Sequence, residues 1–333
     1  MYANRWKHEY KQYLMQYINS RDKSILYKGQ KLSRHLIETK VSPEEVIKVH
    51  ISSLKDLQEV APYVQDSFDF LLKVMTGYGE AYRELLNLRY QQSELQSEIQ
   101  VAANMQQTLL RSEWPTVESL DIGAISRPAR QMNGDYYHFV QDENGSVSVA
   151  VADVIGKGIP AALCMSMIKY SMDSLPETRM TPRYVLENLN RIVEQNVDSS
   201  MFITMFYGIY DSAAHKFRYS SAGHEPGFYY HAESDQFEEL KTKGLVLGVS
   251  KTLYEEYERN VLPGDMIVLL TDGLTECRIG NRFITREEVA GLIKKYIHLP
   301  SQDIVNNIYS ELHDSGSYKL TDDFTLIILR RRV

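Results

Sequence analysis

Cysteine is nearly missing from this chain. Cys164 and Cys277 are the only two in 333 residues, and neither belongs to a CxxC pair. Two thiols cannot make a disulfide framework, so both are expected as free, buried or partly buried thiols in a reducing compartment. No apolar run approaches the roughly 18 residues a membrane-spanning helix needs. The stretch Met1–Glu9 carries no signal-peptide core. The chain is therefore expected to be cytoplasmic and to have no dealings with a membrane. Positive charge is not in excess either: 37 Lys and Arg stand against 44 Asp and Glu, a net charge of −7. That balance speaks against non-specific nucleic-acid binding, which needs a basic face. It is compatible with a cluster of carboxylates. A P-loop and a GxGxxG loop are also missing, which removes the usual means of cradling a nucleotide. What remains is an ordinary globular composition, 43% hydrophobic, long enough for two domains or one domain with an appendage.

Residues 1–84 read as helix throughout. Trp6, Tyr10, Tyr13, Leu14 and Tyr17 share a helical face between about Asn4 and Asn19. A second helix is expected over about 24–39. Ser42-Pro43-Glu44-Glu45 is a helix start, with Ser as N-cap, Pro in the first turn and acidic residues following. A fourth helix begins near Ala61-Pro62. Short connections predict an antiparallel bundle. His8, His35 and His50 have no ligand spacing. Tyr2, Trp6, Tyr10, Tyr13, Tyr17, Tyr27, Tyr63, Tyr78 and Tyr82 are too many aromatics for so small a core. They form either amphipathic core edges or a partner and dimer surface.

Residues 85–110 contain neither Gly nor Pro. Leu85, Leu88, Gln92, Leu95, Ile99, Ala102, Gln106 and Leu109 follow an alternating three–four spacing, a heptad seam with two polar positions. Such a seam suits a two-stranded coiled coil in a homodimer, or an ordinary helix packed on the next domain. Beyond Trp114-Pro115 the pattern changes to short strands with Gly and Asp turns. Strands are expected at about 121–126, 136–141, 146–152, 201–210, 216–221, 227–231, 266–270 and 323–330. Helices are expected at about 160–175, 182–197, 285–296 and 302–313. Hairpins with paired helices between them indicate an α+β fold or a layered αββα arrangement. The expected organisation is a helical partner-binding or dimerisation domain at 1–84, a helical linker at 85–118 and the layered domain at 119–333.

Within the layered region, aspartates recur at strand ends beside a Gly or a second Asp. Asp135 follows Gly134. Asp153 ends the strand Val147–Ala152 and faces the loop Gly156-Lys157-Gly158. Asp272 lies in Thr271-Asp272-Gly273, after the apolar strand 266–270. Asp322 and Asp323 precede the final strand. A carboxylate set without His or Cys suits hard cations such as Mg2+ and Mn2+ rather than zinc or copper. Two such ions can deprotonate a water and neutralise a phosphate during in-line displacement.

Gly134-Asp135, Ala152-Asp153-Val-x-Gly-Lys-Gly158, Ser221-Ala-Gly-His224-x-Pro226, Thr271-Asp272-Gly273-x-x-Glu276 and Asp322-Asp323-Phe-Thr325 stand in this order along the chain. The set resembles that of the bacterial type 2C metal-dependent protein serine/threonine phosphatases of the SpoIIE subgroup. The phosphatase motifs cover about 120–333, and the helical front end and Gln-containing linker resemble those of the stress-response members. The resemblance implies that Asp153 bridges two Mn2+ or Mg2+ ions. Asp272 and Asp322 would complete the first ion's protein ligands, and Asp135 with the backbone carbonyl of Val154 would hold the second. Asp323 would stand behind the ligands or exchange places with Asp322. Water activated between the ions would attack the phosphorus of a phosphoserine, with Asp153 and Asp135 as the residues that carry catalysis. The implied substrate is a phosphorylated STAS-domain anti-anti-sigma factor of the RsbV type. The implied activator is an RsbT-like switch protein on the N-terminal domain, and the outcome is release of the sigma-B stress factor.

The pattern departs from eukaryotic relatives at Ile155, where they have a His proposed as general acid, so no general acid is assigned. Arg130 has the spacing of their phosphate-binding Arg, and a plain surface role is the alternative. His224 is expected to position a loop rather than to ligate metal. A catalytically inactive scaffold that binds the phosphoprotein is the competing function, and a two-metal nucleotide-handling enzyme a third.

Overall fold

The computed structural model describes residues 5–333 except 58, 111–113, 157, 175–179, 199–200, 280–281, 315–317 and 320–321. Of the positions discussed above, Tyr2, Asn4, Lys157 and Leu175 lie outside the described residues. The backbone divides into two compact units, Met1–Ser97 and Glu98–Val333.

The first unit is helical. It holds α1 (Arg5–Ser20), α2 (Lys23–Glu38), α3 (Pro43–Lys55) and the greater part of α4 (Pro62–Leu109). Asp22 caps α2 by accepting from the Ser24 N–H, and Ser42 caps α3 by accepting from the Glu45 N–H, with Pro43 in the first turn. Trp6, Leu32 and Leu36 form the buried centre, with Tyr10, Tyr13, Val41, Val46 and Val49 packed round it. Tyr27, Tyr63, Tyr78 and Tyr82 are exposed, the excess aromatics that so small a core cannot absorb.

α4 continues as one helix of 48 residues through the segment expected to be a separate linker. Its seam has two fates. Leu85, Leu88 and Leu95 are exposed, whereas Ala103, with Ile99 and Ala102 beside it, packs on Met132 and Ala162 of the second unit's own core. The reading of an ordinary packed helix holds for the C-terminal part of the seam. An apolar stripe over 85–95 is left uncovered.

The second unit is built from two antiparallel sheets between helices. Its first elements are β1 (Leu120–Arg127), β2 (Asp135–Gln141), β3 (Val147–Val154), α5 (Ile159–Asp173) and α6 (Pro182–Asn196). There follow β4 (Ile203–Asp211), β5 (Lys216–Ala222), β6 (Phe228–His231), β7 (Gln236–Glu239), β8 (Tyr257–Asn260) and β9 (Met266–Leu270). The chain closes with α7 (Asp272–Thr275), β10 (Arg278–Ile279), β11 (Arg282–Phe283), α8 (Arg286–Tyr296), α9 (Ser301–Asp314), β12 (Tyr318–Lys319) and β13 (Phe324–Arg331). One sheet has the order β1-β13-β9-β6-β7, the other β2-β3-β4-β5-β8, and β11-β10-β12 form a small third.

Alternation along β3 shows how the layers assemble. Val147, Val149 and Val151 point into the core between the two large sheets, with Phe206, Phe217, Ile267 and Ile327. Ala150, Ala152 and Val154 point the other way, against Met165 and Ile168 of α5 and Leu186 and Leu189 of α6. The opposite sheet is covered by α8 and α9 through Val289, Ile293, Ile304 and Ile308. Each such buried aliphatic contributes about 1.5–3 kcal/mol. The result is the αββα layering expected from the hairpins and helix pairs.

Candidate active site

β2 and β3 are antiparallel, and their register sets Asp135 directly opposite Asp153. Opposed side chains in such a pair stand about 5 Å apart at Cβ, and like charges there repel. In the other sheet, the Thr271 N–H donates to the Thr325 carbonyl and the Thr325 N–H donates to Thr271 Oγ1. That pairing brings the start of α7, where Asp272 lies, against Asp322 and Asp323. The fit at Gly273 is tight. A Cβ there would stand 1.8 Å from the Asp323 carbonyl oxygen.

Asp135 joins the two sheets. Its Oδ2 accepts from Thr271 Oγ1 and from Thr325 Oγ1, both at 2.7 Å. Thr325 gives its single hydroxyl hydrogen to the Asp135 carboxyl oxygen. Its contact with Ser126 Oγ at 2.9 Å is then a bond donated by the serine. Ser126 Oγ accepts in turn from Asn133 Nδ2, and Asn133 Oδ1 accepts from the Asp135 N–H. The result is a closed ring through Asp135, Asn133, Ser126 and Thr325. Asp323 holds the same loop from the other side, accepting from the Ala129 N–H at 2.7 Å and the Gly134 N–H at 2.5 Å through separate oxygens. Asp322 accepts from the Asp323 N–H. Gly134 leaves the space this requires, since a Cβ on it would stand 3.2 Å from Asp323 Oδ2.

Burial raises the Asp135 carboxyl well above its ordinary range, and the charges of Asp153 and Asp323 raise it further. Asp272 is pushed up to about 6, first by burial and then by Glu276, Asp322 and Glu225. Negative charge is thus concentrated at one end of the sandwich, on an all-oxygen donor set. That crowding fits a hard divalent cation, which relieves it. The aspartates gather as an Asp135–Asp153 pair and an Asp272–Asp322 pair. Among the described residues, no three His, Cys, Asp or Glu side chains close round a single point as metal ligands.

The loop after Asp153 is built from glycines with positive φ, +136° at Gly156 and +79° at Gly158. Ile155 is exposed and offers no proton. Arg130 is exposed in the loop between β1 and β2. His224 is buried, with Nε2 donating to the Leu270 carbonyl and Nδ1 accepting from Thr204 Oγ1. Burial lowers its pKa to about 4, so the ring is neutral. Thr204 pairs with Asp153 across β3 and β4, and Leu270 lies two residues before Asp272. The imidazole is therefore a brace between two aspartate-bearing strand ends, as expected of a positioning residue.

Thr271 and Thr325 stand in the sequence motifs without an assigned role, and Ser126 and Asn133 are not singled out by the sequence. The one available signal is that Thr271 opens the Asp272 motif and Thr325 ends the Asp322-Asp323 motif.

Known proteins resemble this chain throughout its length. The family model for Stage II sporulation protein E (SpoIIE) matches residues 143–332. That for the N-terminal domain of phosphoserine phosphatase RsbU matches residues 8–81. Phosphoserine phosphatase RsbU of Bacillus subtilis (strain 168) is 55% identical over 326 residues, covering 97% of each chain. Among solved structures, the RsbU and RsbW domains of a Mycobacterium tuberculosis protein superpose with a TM-score of 0.58 at 26% identity, over 67% of this chain and 62% of that one. The SiaA-PP2C domain of Pseudomonas aeruginosa shares the fold, with a TM-score of 0.62 at 18% identity over 72% and 98% of the two chains. The chain belongs to the SpoIIE family of PP2C-type phosphatases, and within it to the RsbU group.

Proposed function

We propose that this metal-dependent serine phosphatase uses two Mn2+ or Mg2+ ions to hydrolyse a phosphoserine on a STAS-domain anti-anti-sigma protein of the RsbV type. Asp153 would be shared between the ions, Asp272 and Asp322 would serve one, and Asp135 with the Val154 carbonyl the other. The observation that carries this reading is the register of β2 and β3, which opposes Asp135 and Asp153 beside the Asp272–Asp322 pair. Bound ions of this kind lower the pKa of water and neutralise charge on a phosphoryl group.

The protein's own part is positioning. The ring through Asn133, Ser126 and Thr325 fixes the Asp135 carboxylate, and Asp323 stands behind the ligands with its oxygens engaged by loop N–H groups. Arg130, exposed on the same loop, would meet the phosphate of an incoming phosphoserine. The helical unit would receive an RsbT-like switch protein. The uncovered stripe Leu85, Leu88 and Leu95 supports a homodimer. Dephosphorylated substrate would then free the sigma-B stress factor.

The test is phosphate release from a phosphorylated STAS protein, with and without Mn2+ and the switch protein. Asp153→Asn is expected to abolish Mn2+-dependent release, and unchanged turnover in that variant would remove Asp153 from the site. Tight binding of the phosphoprotein by the wild type without turnover would favour the scaffold reading instead.

A further inference from the structure

Gln106 is a polar residue of the heptad seam, and it is buried. Its side-chain amide pairs with a backbone as a neighbouring strand would. Nε2 donates to the Asn133 carbonyl at 2.7 Å, and Oε1 accepts from the Asn133 N–H at 3.0 Å. Around it, Ile99, Ala102 and Ala103 pack on Met132 and Ala162. The polar pair thus sits at the edge of an apolar contact, where competition from water is reduced. Asn133 is also the residue whose side chain joins Asp135 to Ser126. A cleft of about 320 Å³ beside this helix is lined by Gln106, Asn133 and Asp135 together.

From this geometry we infer that Gln106 is a positioning residue for the Asp135 loop: its two hydrogen bonds fix the Asn133 backbone, and through it the aim of the Asp135 carboxylate at a bound ion. Asp135 is anchored at its oxygen by Thr271 and Thr325 from the opposite sheet. Asp323 holds the loop on one side through the Gly134 N–H, and Gln106 holds it on the other through the Asn133 backbone. Groups that orient a ligand act on metal affinity, typically by ten- to a hundredfold. The inference rests on the proposed two-ion site.

The test uses the full chain. Gln106→Met removes both hydrogen bonds at similar length, and Gln106→Glu keeps the acceptor but loses the donor. Mn2+ binding is followed by the electron paramagnetic resonance of free Mn2+, beside the apparent KM for Mn2+ and the thermal unfolding of the metal-free protein. Mn2+ affinity is expected to fall about tenfold in Gln106→Met and by less in Gln106→Glu. The KM for Mn2+ should rise in parallel, and kcat at saturating Mn2+ should stay near that of the wild type. Wild-type Mn2+ affinity in both variants, with weakened binding in Asp135→Asn, overturns the role of Gln106. Should Gln106→Met unfold, Gln106→Glu decides alone, by whether its KM for Mn2+ moves. Wild-type affinity in Asp135→Asn and Asp153→Asn as well overturns the site itself.

Discussion

The Asp135 carboxylate is held by hydroxyls that belong to the other sheet. Thr271 lies 136 residues away in sequence and Thr325 lies 190. Thr325→Val deletes one of these donors and leaves Ser126 without its acceptor. The expected loss is about 1–3 kcal/mol, read as a lower denaturant midpoint, together with weaker Mn2+ binding. Thr325→Ser should restore most of both. The aspartates are legible in the sequence because each lies at or beside one end of a strand, near a Gly or another Asp. Their hydroxyl partners are not, because only the fold brings them there. His224 permits a pH prediction. Its folded-state pKa of about 4 lies below the ordinary value of 6.5, so the unfolded chain binds the extra proton between those limits. The neutral ring's contribution is complete above pH 6.5 and is lost as pH falls towards 4, on the order of 3 kcal/mol in all. Asp135 and Asp272, with raised values, act in the opposite sense. Comparing His224→Gln with the wild type cancels them: the variant should lose less stability than the wild type between pH 6.5 and 4.5 in denaturant titrations.

At the scale of elements, the close approach of α7 to the start of β13 is the critical contact. A Cβ at Gly273 would meet backbone rather than a flexible side chain, 1.8 Å from the Asp323 carbonyl oxygen. Gly273→Ala is therefore expected to part the Asp272 turn from Asp322 and to cost more than about 2 kcal/mol, with loss of turnover. Gly291→Ala in α8, where nothing stands within 4 Å, should instead be neutral or stabilising by up to about 1 kcal/mol. Unfolding curves of the two variants make the comparison. The long buried strands were legible because both their faces are apolar, and β9 was foreseen residue for residue. β7 and β8 were not. Gln236-Phe-Glu-Glu239 and Tyr257-Glu-Arg-Asn260 are short, largely polar edge strands whose pairing comes from neighbours rather than from their own pattern. The sequence pattern divides this stretch at residue 84 into bundle and linker because its hydrophobic pattern changes character, yet the hydrogen-bonded backbone of α4 continues through that change.

At the scale of the whole molecule, the exposed part of the seam is short. Leu85, Leu88 and Leu95 span less than two heptads, while a self-standing coiled coil needs three or four. Pairing of two copies through this stripe is therefore expected to be weak unless a partner adds to it. Fusing a constitutive dimeric coiled coil ahead of residue 85 in the correct register should raise basal phosphate release, and no effect in any register would remove the seam from regulation. The joining of the two sheets through Asp135 has a consequence for ion selectivity. Thr271 and Thr325 both give their hydrogens to Oδ2, so under the proposed two-ion reading this carboxylate would offer an ion Oδ1 alone. It cannot act as a two-toothed chelate. Ca2+ commonly completes six to eight contacts with chelating carboxylates, whereas Mg2+ takes six in an octahedron from single oxygens and waters. Ca2+ should therefore compete poorly with Mn2+ in a binding titration, and Thr271→Val, by releasing one claim on Oδ2, should narrow the difference.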